Sequence, residues 1–228
     1  MEELYFTPNS FRFLRQLARN NDRDWFSTHR DEYERHVRLP AYRFVTDCAA
    51  PLGGVSPHLS VDAGRPGTSV FRIQRDMRFG DDKTPFKTHT GVHIRHGAIA
   101  GARSPGFYLR LEPGNCHLSA GVWRPAGEAA AAIRAAIAAH PDEWSAAIGD
   151  PDLVDVWSMD GESLVRPPAG FDPDHPLIGE IRRKDFAARR PLTQRQVTAG
   201  DFLDVFVDSC RRATPLMRFV CRALGLDY

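Results

Sequence analysis

From Ser69 to Gly91 the chain reads SVFRIQRDMRFGDDKTPFKTHTG, which sets Arg72, Arg75, Arg78, Lys83, Lys87 and His89 among Asp76, Asp81 and Asp82. Guanidinium groups offer planar pairs of donors that match phosphate or carboxylate, and ammonium groups add compact positive charge. A neighbouring carboxylate acts either as a general base or as the partner that orients an arginine. This spacing assigns Arg72, Arg75, Arg78, Lys83 and Lys87 to hold an anion, with Asp76 or Asp82 as general base or orienting group. The competing reading is a salt-bridged loop in which the aspartates neutralise their basic neighbours and contribute little stability.

The local structure expected for this stretch is strand, loop, strand. Val70, Phe71 and Ile73 are β-formers on a period-two background, so the stretch opens as a strand. Gly80–Asp81–Asp82 supplies a turn, Pro85 stiffens the approach to Lys87, and a second strand begins near Thr90.

Three further runs alternate in the same way. Val92 and Ile94 alternate with His93 and Arg95. Phe107, Leu109 and Leu111 alternate with Tyr108, Arg110 and Glu112. Leu118, Ala120 and Val122 alternate with His117, Ser119, Gly121 and Trp123. Clean alternation predicts an antiparallel sheet with one face on the core and the other open. Phe71, Ile73 and the apolar members above face the core. Arg72, Gln74, Asp76, His93, Arg95, Tyr108, Arg110, Glu112, His117, Ser119 and Trp123 face the opening, where Tyr108 and Trp123 would stack against a ligand body. An exposed antiparallel face is also polar without any function.

His89, His93 and His117 with Asp76 or Glu112 would make a metal site. No H-E-x-x-H or H-x-H spacing supports one, so no metal is assigned. Cys116 has no base identifiable by spacing. There is no Walker loop, G-x-G-x-x-G or G-x-S-x-G, which weakens nucleotide-dependent and serine-hydrolase readings.

The elements around these strands follow from helix signals. Thr7–Pro8 starts a helix with Phe11, Leu14, Leu17 and Ala18 on its apolar stripe, ending at Asn20–Asn21. A second helix starts near Asp22 and buries Trp25, Phe26, His29, Tyr33 and Val37, until Pro40 breaks it. A third runs from about Ala41 to Leu52. His58–Ala63 is expected as a strand beside Ser69–Asp76. Glu128–His140 and Pro141–Ile148 read as helices. Residues 150–175 read as loop with one strand near Ser163–Arg166. A short helix (Pro176–Lys184), a short strand (Asp185–Pro191) and a helix pair or one disturbed helix (Asp201–Leu224) follow. The fold class is α+β, one domain with a mainly antiparallel sheet and helices mainly on one face.

The chain has 228 residues and a formal net charge of +1, against a strongly electrostatic nucleic-acid binder. No apolar run is long enough to cross a bilayer, and MEELYFTPNS lacks a basic n-region and an apolar h-region. Cys48, Cys116, Cys210 and Cys221 have no paired spacing, so a reduced, cytoplasmic protein is expected.

Five motifs occur in order: F-x-F-L-x-x-L-x-x-N-N-x-R-x-W-F (Phe11–Phe26), R-x-x-R-D-x-R-F-x-x-D-K-x-P-F-K-T (Arg72–Thr88), G-F-Y-L-x-L-x-P (Gly106–Pro113), G-V-W-x-P (Gly121–Pro125) and H-P-L-x-x-x-x-R-x-K-D-F (His175–Phe186). Together they resemble a family of conserved hypothetical proteins, domain of unknown function 2461. The resemblance implies a single-domain, cytoplasmic, largely bacterial α+β protein and supplies no catalytic residue or cofactor. Its signature positions here are Arg72, Arg75, Asp76, Arg78, Asp82, Lys83, Lys87, Gly121 and Trp123. Three functions stay open: a site for an anionic small molecule, enzymatic or not; a module binding nucleic acid or a partner protein, which the charge disfavours; and a structural salt-bridge network.

Overall fold

A computed structural model of the chain describes residues 4–64, 69–76, 78, 83–99, 101 and 103–228. The expected turn at Gly80–Asp81–Asp82, and with it Asp82, lies outside the described residues.

The N-terminal quarter is helical: α1 (Pro8–Arg19), α2 (Arg23–Thr28), α3 (Arg30–Tyr33), a π-helical turn (Glu34–Arg38) and α4 (Leu39–Gly53). Ser10 Oγ accepts the Thr7 N–H at 3.0 Å to start α1, and Asp22 caps α2 by accepting the Trp25 N–H at 2.8 Å. Phe13, rather than Ala18, completes the buried stripe of α1; Ala18 is exposed. Pro40 does not break the helix. The backbone widens into the π-helical turn just before it, and the proline occupies the first positions of α4, where a missing N–H is tolerated.

A six-stranded sheet follows in the order β1-β2-β3-β4-β6-β5, with every pairing antiparallel: β1 (Leu59–Ser60), β2 (Thr90–His96), β3 (Gly106–Leu111), β4 (Cys116–Val122), β5 (Ser158–Asp160) and β6 (Phe186–Leu192). α5 (Gly127–Ala139), α6 (Pro141–Ile148), α7 (Pro151–Val154), α8 (Ile178–Ile181), α9 (Gln194–Val197), α10 (Phe202–Arg212) and α11 (Thr214–Ala223) complete the chain. The architecture is α+β. The strand expected at Ser163–Arg166 is a single bridge, Ser163 to Arg183, and the regular strand of that region is β5. The expected His58–Ala63 strand shortens to β1.

Val92, Ile94, Phe107, Leu109, Leu118, Ala120 and Val122 are each at most 1 % exposed and form one core with α4, α5, α6, α10 and α11. Phe44 of α4 stacks on Phe202 of α10 with centroids 5.4 Å apart. Trp144 of α6 meets Phe219 of α11 edge-on at 5.0 Å. All four cysteines are buried free thiols, and burial raises the thiol pKa of each of them.

The charged stretch is not a continuous strand. Val70 bridges Val92, and Gln74 bridges Phe86, but each is an isolated bridge. This reverses the expected facing by one residue: Val70 enters the main core, while Phe71 turns to the opposite face against Tyr108, with centroids 5.6 Å apart. A slip of one in pleat parity moves a side chain across the sheet. Ile73 joins a second, smaller core of Phe13, Leu14, Leu17, Phe26, Tyr33, Val37 and Phe86, where Phe26 and Phe86 stack at 4.1 Å.

Asn21 fastens this second core to the edge segment. Its amide nitrogen donates to the Phe86 carbonyl at 2.9 Å, and its amide oxygen accepts the Phe86 N–H at 3.0 Å. The side chain thus replaces a neighbouring strand for one residue. Asn21→Ala leaves both backbone groups without a partner and should lower stability by about 1–3 kcal/mol, read as a lower midpoint with unchanged slope in urea unfolding.

Candidate functional site

The face of the sheet opposite the helices carries three rows of side chains, set by the register. One row runs Arg95, Gly106, Gly121, Ala187, Asp160; the next runs His93, Tyr108, Ser119, Arg189, Ser158; the third runs Gly91, Arg110, His117, Pro191. Small residues in the first row hollow the face between larger neighbours. The resulting groove has a volume of about 520 Å3, with Phe71, Ser104, Asn115 and Trp123 adding to its walls.

Glycine is required at several points of this shape, Gly91 and Gly121 among them. At Gly91 a Cβ would lie 2.6 Å from the Tyr108 hydroxyl, so only glycine lets that ring lie across β2. Gly121 has φ +121°, and a Cβ there would come within 2.2 Å of the Phe186 carbonyl oxygen.

The electrostatics of the groove follow from burial. His93, 6 % exposed, is pushed down to about 4 by desolvation, with Arg95 adding to the shift. His89, at its edge, is also pushed down to about 4, first by burial and then by Arg110. His117 is lowered by burial and by Arg189. Burial raises Tyr108. The imidazoles are therefore neutral and the phenol is protonated at neutral pH. Among the described residues neither the His93 ring nor the Tyr108 hydroxyl has a hydrogen-bond partner.

The two arginines of the groove differ. Arg110 Nε donates to Glu112 at 2.9 Å, so its charge is neutralised. Arg189 donates to Asn115 Oδ1 at 2.7 Å and lies 3.2 Å from His117 Nδ1, both neutral groups. Its nearest carboxylate, Asp160, is 3.9 Å away, and its buried Nε has no partner.

The mouth is shaped by a carboxylate at the foot of β6. Asp185 is fully buried and accepts the Arg124 N–H at 2.9 Å and the Glu162 N–H at 3.0 Å. It holds Arg124 in the left-handed region, φ 43°, and so sets Trp123, 51 % exposed, at the rim.

The structure divides the residues that the sequence groups together. Tyr108 and Trp123 line the open-face groove. Lys87 stands at its edge, with Nζ donating to the Arg72 carbonyl at 2.9 Å and lying 5.6 Å from the Phe71 ring centre. Arg72 and Arg75 line separate hollows on the helical side. Asp76 and Arg78 form an exposed pair at 2.8 Å, their side chains 54 % and 76 % exposed, and Arg78 holds Asp76 down to about 2. Lys83 is exposed. Neither cleft is lined by Asp76, Arg78 or Lys83. Among the described residues there is no cluster of three metal-ligating side chains. Arg189, Asp160 and Asp185 escape sequence reasoning. The A-A-R-R run of β6 alternates too briefly to reveal that this strand completes the open face.

The sequence profile of a conserved hypothetical protein family, DUF2461, matches residues 9–219. The chain belongs to that family. No curated protein and no solved structure matches it. No helix among the described residues is long and apolar enough to cross a membrane.

Two predictions follow from this geometry. The folded protein keeps His93 neutral, while the unfolded chain takes up protons below the ordinary value of 6.5. Stability is therefore full above that value, falls as pH drops towards about 4, and loses nothing further from this group below it. The loss should reach about 2 kcal/mol near pH 5, and His93→Gln should flatten this part of a pH series of urea midpoints. Asp185→Ala strands two backbone donors and should cost about 2–4 kcal/mol, measured in the same way.

Proposed function

We propose that this member of the DUF2461 family binds a small ligand carrying a phosphate or carboxylate group in the open-face groove. His93 carries the reading: its ring is 6 % exposed in the wall of the groove and makes no hydrogen bond among the described residues, so its nitrogens are left to pair with a ligand. Arg189 supplies the charge, because its hydrogen-bond partners Asn115 and His117 are neutral and its ion pair with Asp160 is long, at 3.9 Å. A guanidinium in that setting pairs with an anion more strongly than one already bound to a carboxylate, as Arg110 is.

The remaining groups define the rest of the ligand. The Tyr108 hydroxyl and the neutral His93 ring offer hydrogen bonds to uncharged polar atoms, and Trp123 at the rim offers a flat apolar face. Lys87 adds positive charge at one end. Asp76, proposed from the sequence as a general base, stands outside this groove.

A thermal-shift and calorimetry screen against phosphate, sulfate, sugar phosphates and small carboxylates tests the proposal. A hit in the wild type should weaken at least tenfold, about 1.4 kcal/mol, in Arg189→Ala. Arg78→Ala, in the exposed pair, should bind like wild type. Equal binding by Arg189→Ala in a folded protein would falsify the assignment.

A further inference from the structure

A second depression lies on the helical side, outside the open-face groove. It consists of two hollows of about 410 and 320 Å3 that share Phe26, Arg30 and Gln74 and therefore adjoin. One wall comes from the N-terminal helices, with Arg23 on α2, Arg30 on α3 and Arg38 at the end of the π-helical turn. The other wall is the edge segment, with Arg72 and Arg75.

Among the described residues these five arginines and one carboxylate, Glu34, line the two hollows, and Arg38 holds that carboxylate at 2.7 Å. The Arg30 and Arg72 guanidiniums make no hydrogen bond or ion pair among the described residues, and they stand on opposite walls. Positive charges gathered around a hollow repel one another unless an anion is present. All five are arginine and none is lysine, which favours groups that accept planar, two-pronged hydrogen bonds. The π-helical turn is a second unusual feature of the same wall, and such turns occur frequently at functional sites.

The rings in this cleft are not free to stack bases. Phe26, Tyr33 and Phe86 are 5 %, 7 % and 6 % exposed and packed into the second core, and the ring of Phe71, which the cleft shares with the open-face groove, lies against Tyr108 and 5.6 Å from Lys87 Nζ. The Arg38 guanidinium covers Tyr42 at 5.3 Å. A single nucleic-acid strand binds through phosphates and stacked bases together, so the cleft suits a compact polyanion better.

We infer that this cleft binds a compact ligand with at least two phosphate-type groups, one held by Arg30 from the helices and one by Arg72 from the edge segment. Bridging the two walls joins α3 to the segment that Asn21 already fastens, so the bound ligand staples the N-terminal helices to the sheet edge.

Calorimetry of the full chain with tripolyphosphate at physiological ionic strength tests this. The wild type should bind one equivalent, and the Arg30→Ala/Arg72→Ala double variant should bind at least tenfold more weakly. Both side chains are exposed, so the double variant should melt like the unliganded wild type. Arg189→Ala should keep wild-type affinity for tripolyphosphate, which separates this cleft from the open-face groove. No binding by the wild type, undiminished binding by the double variant, or loss only in Arg189→Ala would each overturn the inference. So would tighter binding of a single-stranded oligonucleotide than of tripolyphosphate.

Discussion

The pleat of the central sheet is the constraint on which the open-face site depends. Antiparallel pairing of β2, β3, β4 and β6 in fixed register sends Ile94, Leu109, Leu118 and Ala188 to the core, all at 0 % exposure. The same pleat must send His93, Tyr108, Ser119 and Arg189 the other way, in one row. A slip by one residue on β6 would bury the arginine, and a slip on β2, β3 or β4 would turn that strand's apolar set out of the core. Burying the apolar face therefore places the polar row with no separate cost. The larger helices pack on the core side, and the opposite face keeps its groove.

A second device acts at the edge of the sheet. After Val70 the chain leaves regular pairing, and the small core around Phe26 and Phe86 holds it instead. The two hydrogen bonds from Asn21 to the Phe86 backbone fix where that segment runs. As a result the charged stretch is shared between two clefts. Lys87 lies towards the open face, Arg72 and Arg75 line the helical side, and Asp76 pairs with Arg78 in solvent. Positive side chains close together in sequence end on different surfaces because the segment bends away from the plane of the sheet.

Much of the fold is legible from periodicity. The alternation in β3 and β4, the Thr7–Pro8 and Asp22 helix starts, and α6 from Pro141 to Ile148 are all local signals. The facing of Phe71 was not legible, because two isolated bridges leave no regular pleat to carry the alternation forward. Pro40 misleads for a related reason: the π-helical turn that accommodates it is a backbone adjustment without a residue signature. The open-face set of His93, Arg110, His117 and Ser119 was readable from strand parity, and so was the place of Tyr108. Its principal cation was not.

By itself the sequence determined the α+β class, the inward and outward sides of three strands, and membership of a family through motifs spread along residues 9–219. Each of these rests on short-range chemistry: pleat parity, helix caps and fixed spacings. Only the tertiary structure decided that β6 pairs with β4, which carries Arg189 to the row of Tyr108 from 81 residues away in the chain. Likewise it alone brought Arg30 opposite Arg72 and Asp185 beneath Arg124. Those neighbours meet because long-range burial and strand pairing put them together, and nothing in local propensity encodes a partner so distant.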